Sequence, residues 1–270
     1  MRAVPTIAMQ SGRRMPAMGL GTWELTDDTA NAVAHAISLG YTMIDTSGDY
    51  GTQRGVGEGI RRAGVDRGDV FVVTKVEEDE DAFRAARRNV GELGFDYADL
   101  ILIHRPPEQG VGSALWQGLI KARNEGLAHE IGVSNYSIGQ IEQLVEKTAV
   151  VPAVNQIEWS PFGHSKDMLS FCRENRIVLQ AYSPLTRTER LDDKRLARIA
   201  ARHRKTPAQV MIRWNLQLGT VPLPKANRAA HQRENFDVFD FELGEEEMIA
   251  LNELNERYSA LGELSYVQEE

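Results

Sequence analysis

Cysteine is nearly absent: Cys172 stands alone in 270 residues, which excludes an internal disulfide framework and fits a reducing compartment. Its helical spacing beside Leu169 predicts a buried core thiol. Long apolar runs are missing, with none near the roughly 18 residues of a membrane span. The opening MRAVPTIAMQ lacks a signal-peptide core, so a cytoplasmic protein is expected. Positive charge is in deficit: Lys and Arg number 31 against 39 Asp and Glu, a formal net charge of -8. That balance, with no basic stripe, disfavours nucleic-acid and anionic-membrane partners. The six histidines show no ligand spacing, so no metal is expected. No linker, low-complexity tract or short-period repeat divides the chain, which predicts one domain over residues 1–270. No GxGxxG follows an early strand, which weighs against an open doubly wound dinucleotide fold.

What the sequence does contain is regular alternation. Ser11-Gly12 reads as a hairpin turn. Thr26 or Asp27 is expected to cap a helix with Ala30, Val33, Ala34 and Ile37 on one face and Gly40 at its end, followed by a strand over 41–45. Helix and strand then recur, with strands expected over 70–75, 100–104, 129–134, 153–156, 177–181 and 220–224. Thr206-Pro207-Ala208-Gln209 is a capping box with proline at the first helical position, and Gly219 closes that helix. His203 is placed on the inward face of the helix before it. The tail from Glu242 adds one amphipathic helix carrying Met248 and Ile249. Short strands separated by single helices require a parallel sheet with right-handed crossovers. Seven such strands and one near 18–21 close a (β/α)8 barrel of the TIM type, preceded by the hairpin and followed by a short helix and tail.

In a barrel the C-terminal strand ends share one rim, so Asp45, Lys75 and His104 converge there and Tyr50 lies on the loop after the first. Each alone has a bland reading: a cap, a satisfied polar residue, a packing aromatic. Together they make a chemical set. A tyrosine, with an ordinary pKa of about 10, protonates an alkoxide readily only beside a cation, and a buried lysine stays charged only beside a carboxylate.

The chain resembles the aldo-keto reductase superfamily, most closely its short bacterial members such as the 2,5-diketo-gluconate reductases. The resemblance runs through GLGTW (19–23), DTSGDYG (45–51), TK (74–75), DLILIHRP (99–106), GVSNY (132–136), VNQIEWSP (154–161), AYSPL (181–185), PK (224–225) and ENFDVFDFEL (234–243). It implies carbonyl reduction with NADPH, with NADH possible, on a small-molecule carbonyl substrate. By the same resemblance Tyr50 is the proton donor, Lys75 lowers its pKa, Asp45 keeps Lys75 charged and His104 orients the carbonyl oxygen. Ser134, Asn135 and Gln156 would hold the nicotinamide carboxamide, and Tyr182 would stack on its ring. Gly21, Thr22 and Asp45 would touch the cofactor near that ring; Ser183, Pro184 and Leu185 would line the pyrophosphate. Lys225, Ala226, Arg228 and His231 match the 2′-phosphate segment, and Glu234 and Asn235 the adenine contacts. Trp23, Tyr50 and His104 would meet the substrate.

Three departures from the family pattern matter. Relatives that prefer NADPH usually carry Ser and Arg where this chain has Ala226 and His231; a mostly neutral imidazole grips phosphate less firmly than a guanidinium. NADPH with reduced discrimination is therefore expected. The run Val76 to Phe83 is short and acidic where relatives have a Trp-containing loop, and Glu77, Glu78 and Asp79 read either as a solvated loop or as a rim that repels anions. Arg105 could offset them if it points inward. Trp23 and Trp159 read as pocket wall or as core. Gly51-Thr52-Gln53, where relatives often read Gly-Asn-Glu, keeps open a nucleotide-binding redox sensor with little turnover. A Schiff-base aldolase built on Lys75 is a third reading. With no evident apolar stripe, a monomer is the default.

Overall fold

The computed structural model describes residues 4–25, 28–262, 264 and 266. A hairpin of β1 (Thr6–Ala8) and β2 (Arg14–Pro16) comes first, antiparallel with Ile7 opposite Met15, and Gly12 takes the left-handed turn position at φ 88°. Eight parallel strands follow in chain order: β3 (Leu20–Gly21), β4 (Met43–Asp45), β5 (Phe71–Val76), β6 (Ala98–Ile103), β7 (Ala128–Ser134), β8 (Val154–Glu158), β9 (Val178–Tyr182) and β10 (Val221–Pro222). Two bonds bring first and last strands together, Gly19 N to Pro222 O at 3.1 Å and Gly21 N to Pro224 O at 3.3 Å. A Cβ on Gly21 would stand 2.8 Å from Leu223 O, so the seam needs glycine for close approach. The architecture is the expected (β/α)8 barrel.

Helices α1 (Thr29–Leu39), α2 (Gln53–Ala63), α3 (Ala82–Leu93), α4 (Ser113–Asn124), α5 (Ile138–Thr148), α6 (Lys166–Glu174), α7 (Lys194–His203) and α8 (Pro207–Leu218) follow the strands, and α9 (Ala229–Phe236) and α10 (Glu245–Asn252) complete the chain. Thr26 and Asp27 lie outside the described residues; the cap of α1 is Asp28, whose carboxylate accepts from Asn31 N at 3.2 Å. The capping box at α8 forms in both directions, and Gly219 ends that helix at φ 74°. Cys172 is buried, and burial pushes its thiol up to about 12. His203 is only partly buried, its Nε2 2.7 Å from Glu247 of α10, and Ile249 is exposed while Leu251 and Leu254 are buried.

Strand periodicity determines what fills the barrel. Residues two apart share a face, so Met43, Val73, Leu100, Leu102, Val154, Val178, Val221 and Leu223 pack together as one apolar cluster inside. One step further toward the C-terminal end the same parity brings Asp45, Lys75, His104, Gln156 and Gln180. The floor is apolar and the rim polar, which is how this fold places chemistry on one face.

Candidate active site

Lys75 is the most deeply buried charge, and it is fully paired. Its Nζ donates to Asp45 Oδ1 at 2.8 Å, Thr46 O at 2.9 Å and Tyr50 Oη at 3.3 Å. Burial disfavours the ammonium, but Asp45 and Tyr50 outweigh it and raise its pKa, so Lys75 stays charged. Tyr50 sits on a 3₁₀ turn over Gly48–Tyr50, closed by Gly51 at φ 68°. For its phenol burial is the largest influence and raises the pKa; Lys75 pulls it down by less. Lys75 thus acts on Tyr50 in the expected direction, while the phenol as a whole stays above its ordinary value. Tyr50 is a protonated acid held against an ammonium, with Lys75 Nζ 4.7 Å from the centre of its ring.

Asp45 is held from several sides. Its second carboxylate oxygen accepts from Gln156 Nε2 at 2.8 Å, and its backbone carbonyl accepts from Thr22 N at 3.0 Å and Thr22 Oγ1 at 2.8 Å. Thr22, Thr46 and Thr52 then form a buried chain of hydroxyls. Gln53, the other altered residue after Tyr50, donates to Glu92 at 2.8 Å and accepts from Thr74 at 2.6 Å. The changed Thr52-Gln53 pair is thus satisfied without disturbing Asp45, Tyr50 or Lys75.

These residues open onto a cleft of about 560 Å³. Its walls include Gly21, Thr22, Trp23, Asp45, Tyr50 and His104, together with Ser134, Asn135, Gln156 and Tyr182, then Ser183, Pro184 and Leu185, and Lys225, Ala226, Arg228 and His231. Several of the polar side chains constrain one another. Tyr182 Oη donates to Asn135 Oδ1 at 2.7 Å, Asn135 Nδ2 to His104 O at 3.1 Å, and Ser134 Oγ to Gln156 O at 2.7 Å. Gln156 Nε2 also donates to Gln180 Oε1 at 2.9 Å. With both amide hydrogens committed, Gln156 can offer a bound carboxamide only its acceptor oxygen.

Several sequence assignments fall outside the cleft. Glu234 and Asn235 are not among its lining residues; Glu234 accepts from Thr206 Oγ1 at 2.7 Å and Asn235 is buried on α9. Trp159 is core, fully buried just after β8, while Trp23 is 39% exposed on the cleft. Other residues join the wall that the motifs did not single out. Arg187 lies 4.6 Å over the Trp23 ring and 3.4 Å from Glu24, and Leu261 reaches the cleft from the tail. The loop Ser183, Thr186, Arg187 and Thr188 takes positive φ at four non-glycine positions. Such backbone costs about 1–3 kcal/mol per residue and persists mainly where function requires a shape.

Glu77 is the largest surprise. It turns inward to His104 Nδ1 at 2.8 Å and accepts from Ser47 Oγ at 3.1 Å. A signal was available, since Glu77 is two residues beyond Lys75 and shares its strand parity. Asp49 lies 3.6 Å from the same nitrogen. Among the described residues, Asp49, Glu77 and His104 are the only His and carboxylate set with atoms all within 4.8 Å of one another. Arg105 lies 3.5 Å from Glu77 and 4.0 Å from Asp49, so the chain supplies a cation there itself.

A nicotinamide dinucleotide has an uncharged amide at one end and anionic phosphates toward the other. The cleft offers donors for both: amides, a hydroxyl and a flat ring for the one, and the cations Lys225, Arg228 and Arg187 for the other.

The chain belongs to the aldo/keto reductase family, whose model matches residues 17–256. An aldo-keto reductase of Mycobacterium tuberculosis is 42% identical over 260 residues, covering 94% of this chain and 92% of the relative. The 9,11-endoperoxide prostaglandin H2 reductase of Trypanosoma cruzi is 40% identical over 259 residues, covering 93% and 91%. Among solved structures, a Bombyx mori aldo-keto reductase in complex with NADP superposes with TM-score 0.91 at 31% identity, covering 98% of this chain and 99% of that one. An aldo/keto reductase from Brucella melitensis gives TM-score 0.88 at 35% identity, covering 94% and 100%.

Proposed function

We propose that this chain reduces aldehydes or ketones to alcohols with NAD(P)H, with Tyr50 as the proton donor. When bound, the cofactor supplies hydride to the carbonyl carbon; the chain's own residues act at the oxygen. Tyr50 Oη gives its proton to that oxygen, and Lys75, 3.3 Å away, stabilises the phenolate left behind. Asp45 keeps Lys75 charged. These donors are fixed before the reaction, so they favour the transition state, where charge on oxygen is greatest. Ser134, Asn135 and Gln156 bind the carboxamide, and Tyr182 presents its ring to the nicotinamide. The observation that carries this reading is the continuous Asp45–Lys75–Tyr50 contact on a cleft that also has cations in its walls.

The finer features belong to the same proposal. NADPH is preferred, and the absence of Ser and Arg at Ala226 and His231 holds the preference over NADH below about a thousandfold, roughly 4 kcal/mol. Glu234 and Asn235 lie outside the cleft lining, so a contact with the adenine requires the dinucleotide to extend past Arg228 and His231. Residues 1–270 act as one domain, as a monomer in the cytoplasm. The likeness to 2,5-diketo-gluconate reductases extends to the chemistry but not to an acid substrate: Arg105 already faces Asp49, Glu77 and Glu78, which favours neutral carbonyls.

The test is nucleotide consumption by wild type and Tyr50→Phe with a reactive aldehyde, run in parallel with NADPH and NADH. A loss of about 10²–10⁴-fold in Tyr50→Phe is expected. Equal rates in the two proteins favour the nucleotide-binding sensor and reject Tyr50 as the acid.

A further inference from the structure

The acidic residue at the start of the run after Lys75 does not face solvent, and its geometry constrains the chemistry of His104. Both carboxylate oxygens of Glu77 lie within hydrogen-bond distance of His104 Nδ1, at 2.9 and 2.8 Å. His104 is 6% exposed, and Glu77 is fastened in turn by Ser47 Oγ at 3.1 Å and Arg105 Nη1 at 3.5 Å. We propose that Glu77 is a positioning residue that fixes the proton of His104 on Nδ1, so that His104 can donate to a substrate oxygen only as an imidazolium. This rests on the carbonyl reduction proposed above.

Hydrogen-bond inventory decides where the proton sits. A carboxylate only accepts, so the nitrogen facing it must carry hydrogen. A neutral ring then has its lone pair on Nε2, the nitrogen left for the cleft that His104 lines. A carbonyl oxygen also only accepts, so it cannot pair with that lone pair. It pairs once Nε2 is protonated too, and the bond is then charge-assisted and roughly twice as strong as a neutral one. His104 keeps its protons throughout; the transferred proton is Tyr50's. Glu77 therefore ties the hydrogen bond from His104 to the substrate oxygen to the charged ring.

The surroundings agree. Asp49 lies 3.6 Å from the same Nδ1, adding a second carboxylate on that side. Arg105 opposes them but is half exposed and shared among Asp49, Glu77 and Glu78. The Tyr50 ring meets His104 edge-on at 5.7 Å between centroids, with the Lys75 ammonium and Asp45 carboxylate paired behind it. Asn135 approaches His104 through the backbone carbonyl, at 3.1 Å. For Glu77 itself, burial pushes the carboxyl up, but His104, Ser47 and Arg105 outweigh it and hold it lowered, as an ionised partner requires.

The experiment compares wild type with Glu77→Gln in the full chain by ¹⁵N NMR of the imidazole, with His104 assigned from the signal missing in His104→Asn. Wild type at neutral to alkaline pH should carry hydrogen on Nδ1; Glu77→Gln, whose amide can donate or accept, should lose that restriction. In parallel, kcat/KM for reduction should fall roughly 10- to 100-fold in Glu77→Gln. Its high-pH limb should move to lower pH while the melting temperature changes little. Hydrogen on Nε2 in neutral wild type, or superimposable pH limbs, would overturn the assignment. Should wild type reduce no carbonyl at all, the reduction reading fails, and the NMR tautomer alone still decides what Glu77 does.

Discussion

At the scale of the residue, the decisive balance is between burial and pairing. Lys75 stays charged in the interior because Asp45 and Tyr50 offset its desolvation; the Tyr50 phenol is raised because burial, with Asp45 and Asp49, outweighs the pull of Lys75. Lys75→Met breaks this balance by leaving Asp45 ionised and buried. Removing one partner of a buried pair costs about 3–5 kcal/mol. The double variant Asp45→Asn/Lys75→Met should recover most of that stability in urea unfolding yet remain without reductase activity. A double variant no more stable than Lys75→Met alone would show that the pair is not what Lys75 contributes. Asp45, Tyr50, Lys75 and His104 could be named from the sequence because each ends a β-type run. Glu77 could not: among so many acids, nothing in composition separates one that turns inward. Parity alone marked it, and parity must compete with the bland expectation that an acidic run is solvated.

At the scale of the element, strands were legible to within one or two residues, because alternation of helix and strand periods survives small boundary errors. What was not legible was the path of loops, whose shape depends on tertiary partners. The tail shows this. Ser259 Oγ donates to Glu158 Oε2 at 2.6 Å and Ala260 N to Oε1 at 2.7 Å, which brings Leu261 to the cleft. Burial raises the Glu158 carboxyl above its ordinary range, and the two donors bring it back only in part. A raised folded pKa means the folded state holds the proton more tightly than the unfolded one. Stability therefore declines as pH rises from the ordinary carboxyl value through the raised one. Glu158→Gln removes that decline, so its melting temperature relative to wild type should be more favourable at about pH 8 than at about pH 4. A difference independent of pH would mean that Glu158 does not titrate between the two states.

At the scale of the whole molecule, charge is the property that reaches beyond contacts. A net charge of -8, with Asp49, Glu77 and Glu78 at the mouth, should slow the approach of anions and leave neutral molecules unaffected. For matched neutral and carboxylated aldehydes, kcat/KM should favour the neutral one at low salt, and the gap should narrow as salt rises over a Debye length of about 10 Å at 0.1 M. Equal values at every ionic strength would make the acidic mouth inert toward substrate. The barrel itself was legible because eight short strands separated by helices leave few other closed solutions. Its interior was legible for the same reason, through apolar residues two apart.

The seam at Gly19 and Gly21 has a consequence for how the protein is made. Its partners, Pro222 and Pro224, are among the last parts of the barrel to leave the ribosome. Until they arrive, the nascent sheet has two unpaired edges, and β3 waits for contacts some two hundred residues away. Non-local closure of this kind is slow and exposes strand edges to other chains. The rim that holds the cleft is thus completed late, by the same closure that removes the two open edges of the sheet.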